Sequence, residues 1–291
     1  MIKTLPKNSL KPLSRDPRDF KLGAVFGQFP LSEVPDFDFV VAEPLAIKDQ
    51  GEDTDYCSAY AGTAVSEDQE GVELLPEFNF FETKQISGNP EEWGADLRDA
   101  CKSFVSVGSI ETKGNEDLAK VPRSILLSKE NWSSKFICLA RVHKKQTFFT
   151  VDGKYDVFDN IRAALWQHKG EKCSIITGAM FRSEWLNAPN GVILKTYSSE
   201  GSGHAFKIYG QKNINGELYL VAQLSQGKEV GDGGKFYFPR EVVNKEIGQY
   251  GMFMFKDMSK EDAEYYMGVD KNKPLPKKFW EYIINLFKKP C

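Results

Sequence analysis

The sequence predicts an α+β protein in which a mainly helical half precedes a mainly antiparallel sheet. Three observations carry this expectation. Between Thr54 and Phe104 apolar residues recur at three- and four-residue spacing, the period of amphipathic helices. From about Phe136 onward, short runs rich in β-branched and aromatic residues take their place. Gly and Asn turns punctuate those runs, as strand connections require. With 291 residues, 41% of them hydrophobic and 13% aromatic, the chain can bury a substantial core as one large domain or two small ones. No internal repeat or low-complexity tract interrupts it.

Taken in order, residues 1–33 form a Pro-, Lys- and Asp-rich extension with one apolar patch, Leu22–Gly27, expected to pack across both halves. The main domain is expected over 34–256, with a helical lobe over about 45–120 and a β lobe over about 121–256. YCSAYAGTAVSEDQEG (56–71) and WGADLRDACKSFVSVG (93–108) are helical by spacing, each closing on a glycine. Strands are expected in KFICLARV (135–142), QTFFTV (146–151), CSIITGAMF (173–181), GHAFKIYG (203–210), GELYLVAQL (216–224) and GKFYF (234–238). DVFDNIRAALWQHKG (156–170) interrupts them as a helix, and KNING (212–216) is a hairpin turn. Residues 257–291 form a tail with an amphipathic helix at about 277–288. Its apolar face includes Trp280 and Ile284, expected to dock on the chain's own domain, on a partner or on a membrane surface.

Net charge is −3 with both signs interspersed, so nothing argues for a nucleic-acid groove. There is no signal-peptide core and no run of roughly 18 apolar residues, which leads to the expectation of a cytoplasmic protein. Five widely spaced cysteines without a C-x-x-C pair fit neither a disulfide framework nor a zinc site, and no metal or cofactor is expected. Cys101 and Cys138 lie in amphipathic or apolar runs and read as buried, inert thiols.

Cys57 differs because it opens a helix after an acidic, turn-prone loop containing Gly51. The positive end of a helix lowers a thiol pKa, and nearby amides stabilise a developing oxyanion. Gln50, seven residues upstream, can offer its side-chain amide to that oxyanion. A buried structural cysteine has the same local pattern, so nucleophilic chemistry also needs a histidine. His143 lies in a polar stretch and His168 near a helix end, whereas His204 opens a strand after a small-residue loop and is the candidate base.

At these residues the chain resembles the papain-like (C1-type) cysteine peptidases in their bacterial and phage form. The matches come in family order: the Asp49-Gln50-Gly51 turn with the helix from Cys57 to Ala61, the segment Trp93 to Ala100, Gly203 to Gly210, and Val230 to Pro239. The resemblance implies a two-lobe fold with a cleft between the lobes and a peptide or protein substrate in it. It makes Cys57 the thiolate nucleophile, His204 its imidazole partner and Gln50 an oxyanion donor. Gly94, beside Trp93, would pair with the substrate backbone, and Ile176 and Ala205 would wall an apolar pocket for the second residue before the cut.

Two departures stand out. The loop from Gln50 to Cys57 is one residue longer than the family's, and the family's Asn-Ser-Trp-Gly falls without a gap on Leu224, Ser225, Gln226 and Gly227. Leu224 then stands where an asparagine would orient His204, and Gln223, on the opposite strand face, is poorly placed to replace it. On this alignment Leu224→Asn would raise peptide cleavage. No helical inhibitory propeptide of the secreted kind precedes the domain, so either latency is not needed or the extension provides it. Three readings follow: a cysteine peptidase, a weakened or inactive module that binds peptides or serves structure, or another acyl transfer by the same Cys–His pair. The first expects the sulfur and a ring nitrogen within about 4 Å in a cleft that Gln50 also faces.

Overall fold

The computed structural model describes residues 9–257, apart from 14, 15, 18, 133 and 199. The helix expected over 277–288 lies outside the described residues. After a short helix α1 (Leu22–Phe26) and a two-residue strand β1 (Phe39–Val40), the helical part is built from α2 (Cys57–Glu70), α3 (Pro76–Ser87) and α4 (Leu97–Ser106). Pro76 opens α3 where a missing N–H costs nothing. Asp96 caps α4 by accepting the Asp99 N–H at 2.8 Å. α2 is buried on all sides from Cys57 to Asp68, because α3, α4 and the sheet enclose it. Gly62 permits that enclosure: a Cβ there would stand 2.6 Å from the Phe104 ring on α4.

Two short helices follow, α5 (Arg123–Leu126) and α6 (Ser134–Ala140). α6 overturns the strand expected over 135–142. Phe136 packs edge-on against Trp132, centroids 5.4 Å apart, and Ile137 joins the same cluster, while Lys135 and Leu139 face outward. An apolar run this short has no decisive period, so packing on Trp132 settles its conformation. Cys138 is also not the buried thiol expected, being half-buried and disulfide-bonded, whereas Cys57, Cys101 and Cys173 are free and buried.

The remaining elements are β2 (Thr147–Thr150), α7 (Val157–Gln167), β3 (Ile175–Phe181), α8 (Ser183–Leu186), β4 (Ser202–Ile214), β5 (Glu217–Gln223), β6 (Lys235–Pro239), α9 (Arg240–Glu246) and β7 (Met252–Lys256). They form an antiparallel sheet in the order β2-β7-β3-β4-β5-β6, with β1 added beside β4. The β4–β5 hairpin turns on Asn215 and Gly216, both with positive φ (55° and 87°), as the Asn-Gly pair predicts. On one face of β4, Phe206 stacks on Phe238 at 5.2 Å in the main core. On the other, Lys207 donates to Asp68 of α2 at 2.8 Å, and Ser174 donates to the same carboxylate at 2.6 Å. Both charges of this pair are wholly buried, so the helix that begins at Cys57 is fixed to the strand that carries His204.

Candidate active site

Cys57 occupies the first position of α2 and is fully buried. Its thiol donates to Ser9 Oγ at 3.5 Å, and the Ser9 hydroxyl donates onward to the Gly203 carbonyl at 3.1 Å. Burial pushes the Cys57 pKa up to about 11, against the pull of the Ser9 hydroxyl and the Ala205 backbone amide. His204 is buried as completely, and its pKa is pushed down to about 4 by that burial. The thiol and the imidazole are therefore both neutral in this arrangement. Neither ring nitrogen is hydrogen-bonded to Cys57 among the described residues.

His204 shares a face of β4 with Phe206; the Phe181 ring lies 5.9 Å from the one and 6.2 Å from the other. Ala205 turns to the opposite face and joins the apolar cluster around Cys57. The polar side chain acting on His204 is Gln226, whose amide favours the charged ring at a geometry too loose for a strict hydrogen bond. The β4–β5 ladder ends where Lys207 faces Gln223, and Gln226 follows three residues beyond the end of β5, bridged to Asp49. Leu224 is 2% exposed and packs into the main core. Gln223 donates to the Ala46 carbonyl at 2.8 Å. Of the other histidines, His143 is held by Glu70 at 3.2 Å and His168 by Glu171 at 3.3 Å, each with a structural partner.

Gln50 is buried in the loop before α2. Its amide donates to Thr54 Oγ1 at 3.1 Å and accepts from Ser225 Oγ at 2.6 Å. Thr54 also donates to the Gln50 carbonyl at 2.9 Å, so the lengthened loop closes on itself. Trp93 is 41% exposed, with the Arg123 guanidinium 5.5 Å above its ring. Gly94, with φ of 80°, gives its N–H to Asp55 at 2.8 Å and its carbonyl to Lys84 at 2.6 Å. The free pairing edge falls one residue later, at Ala95.

That edge is occupied. Residues 9–11 run extended beside Ala95, with Lys11 N–H donating to its carbonyl at 2.9 Å and Ala95 N–H donating to Ser9 O at 3.4 Å. On the opposite side Leu10 N–H donates to Gly203 O at 3.0 Å. The Leu10 side chain is 3% exposed and shares a cluster with Cys57, Ile176, Ala205 and Tyr250. Gly178 makes room for it, since a Cβ there would lie 2.2 Å from Leu10 Cδ2. Ser9, Leu10, Ala95, Tyr250 and Gln226 escaped sequence reasoning.

No protein-family model matches the sequence, and no curated protein is similar to it in sequence. Solved structures are similar in fold. Xylellain, a cysteine protease from Xylella fastidiosa, matches with a TM-score of 0.66 at 18% identity over 89% of this chain and 100% of its own. Digestive procathepsin L 3 of Tenebrio molitor matches with a TM-score of 0.55 at 15% identity, over 81% of this chain and 75% of its own. Bromelain from Ananas comosus matches with a TM-score of 0.54 at 15% identity, over 74% of this chain and 94% of its own. The fold is papain-like. Among the described residues no cluster of His, Cys, Asp and Glu is arranged to hold a metal, and no helix is long and apolar enough to cross a membrane.

Proposed function

We propose that this chain is a cysteine peptidase in which Cys57 attacks the peptide carbonyl and His204 takes and returns the proton. Gln226 orients the imidazole, and Gln50 with the Cys57 backbone amide receives the oxyanion. The observation that carries this reading is the extended segment 9–11, which lies over Cys57 with backbone pairing at Ala95 and an apolar side chain in a fitted pocket. A groove that holds one extended peptide this way accepts another, and Leu10 points to a branched apolar side chain in the pocket of Ile176 and Ala205. The groove's own occupant is not a substrate in this pose, since a hydroxyl and not a carbonyl carbon faces the sulfur. The form described is thus latent, and departure of the segment rehydrates both catalytic groups.

A second reading, a peptide-binding module without catalysis, is favoured by a neutral Cys57 and His204 that share no hydrogen bond. Turnover of a fluorogenic peptide with leucine second from the cut separates the two. The expected order is Leu10→Glu above wild type, with no turnover once Cys57→Ala is added. A folded Leu10→Glu protein that cuts nothing refutes the peptidase reading.

A further inference from the structure

Asp55 is a fully buried carboxylate two residues before Cys57, and none of the chemistry above uses it. A buried anion is costly unless it is paired and hydrogen-bonded, so its partners say what it is kept for. Asp55 Oδ2 accepts the Gly94 N–H at 2.8 Å, and Oδ1 accepts Arg123 Nε at 3.0 Å. Lys84, itself 1% exposed, stands 3.6 Å from the same carboxylate and donates to the carbonyls of Gly94, at 2.6 Å, and of Glu92. Arg123 Nη2 donates to the carbonyls of Pro90, at 3.3 Å, and Glu92, at 3.2 Å. Among the described residues, every side-chain hydrogen bond of these three residues beyond their ion pairing goes to the backbone of one loop, 90–94, which delivers Ala95 to the groove. Gly94 has both backbone groups held from beneath, and the next residue is left free to pair with an extended chain.

We infer that Asp55, braced by Lys84 and Arg123, is a positioning residue that fixes the peptide-pairing edge at Ala95 relative to the Cys57 sulfur; this rests on the peptidase reading above. A peptide bound at Ala95 reaches Cys57 in register only if the two loops keep their spacing, and a displacement of about 1 Å at such a site costs up to roughly 100-fold in rate. Removing the brace should spare reactions of the sulfur that ignore Ala95 and slow those that depend on it. Burial is the main reason the Cys57 thiol is hard to ionise, but the Asp55 charge adds to it, so a neutral residue at 55 does not slow a small alkylating reagent.

The test compares inactivation of the full chain by iodoacetamide with inactivation by a peptidyl chloromethyl ketone carrying leucine second from the reactive carbon. Both reagents alkylate Cys57, and both need segment 9–11 displaced, so the ratio of their rates is independent of latency. Asp55→Asn should lower that ratio about tenfold or more while the iodoacetamide rate holds or rises. Arg123→Gln, at a partly exposed position that tolerates change better, should lower the ratio in the same direction by a smaller factor. A peptide-selective wild type whose selectivity survives both substitutions within about twofold overturns the brace alone. A wild type with no preference for the peptide reagent overturns the peptidase reading, and the role of Asp55 with it.

Discussion

Substituting Leu10 by Glu should convert Cys57 from an inert to a reactive thiol without touching the catalytic residues. Leu10 is 3% exposed in a pocket of apolar side chains, and a carboxylate there would have to shed its hydration with no cation to meet it. The segment should therefore leave the groove, and water should reach Cys57 and His204. Burial holds the thiol at about 11, against an ordinary 9.0. That difference corresponds to about 3 kcal/mol. At pH 7.4 it means roughly 100-fold less thiolate than an ordinary cysteine would carry. Loss of that burial alone should raise alkylation of Cys57 by about two orders of magnitude, and an imidazolium on His204, released from its depressed pKa of about 4, should raise it further. The assay is iodoacetamide labelling with mass-spectrometric site assignment, with Cys101, buried in α4 behind Phe104, as internal reference. The inflection of rate against pH should also fall from near 11 to 9 or below. If Cys57 labels no faster relative to Cys101 in a folded Leu10→Glu protein, segment 9–11 does not govern the thiol and the latency argument is wrong.

Gln226→Ala should lower peptide turnover by roughly tenfold, the effect of about 1.4 kcal/mol in the barrier, measured in the Leu10→Glu background. Leu224→Asn, which the sequence alignment favoured as a gain, should give none and should cost stability of about 1–3 kcal/mol, because Leu224 lies in the main core and its amide would be buried unpaired. Lys207→Met should destabilise by about 3–5 kcal/mol in urea unfolding, since it strands the buried Asp68 carboxylate between α2 and β4. Burial alone would raise the Glu70 pKa, but hydrogen bonds from His143 and Lys145 outweigh it and hold the group at about 2, below its ordinary 4.5. The stability Glu70 contributes is then complete above pH 4.5 and lost as pH falls toward 2. Melting curves should show Glu70→Gln clearly destabilised at pH 6 and converging on wild type near pH 2.

The local signals in the sequence were sufficient for most elements. The period of 56–71 and 93–108, the helical stretch from Asp156 and the Asn215-Gly216 turn each act within a few residues, and the corresponding helices and hairpin form where they indicate. The stretch 135–142 became a helix because nothing local distinguishes a short apolar strand from a short apolar helix, and the Trp132 contact made the choice. The residue acting on His204 shows the limit most clearly. At the turn Ile214 faces Glu217, and that register alone would set His204 opposite Gly227. A bulge between Ile208 and Gly210 shifts the pairing by one and the ladder ends at Lys207 and Gln223, so the count from the turn does not find Gln226, which acts on His204 from beyond the end of β5. What the sequence by itself determined was the order of helices and strands and the identities of a helix-opening cysteine and a strand-opening histidine, because these are written in neighbouring residues. Only the tertiary structure decided that Ser9 and Leu10 cover the cysteine, that Asp55 holds the loop before Ala95, and that an amide two residues past Leu224 acts on the histidine. Those contacts join residues tens to nearly two hundred positions apart, where the closing geometry depends on a bulge, a glycine without a Cβ and a buried charge that local pattern does not encode.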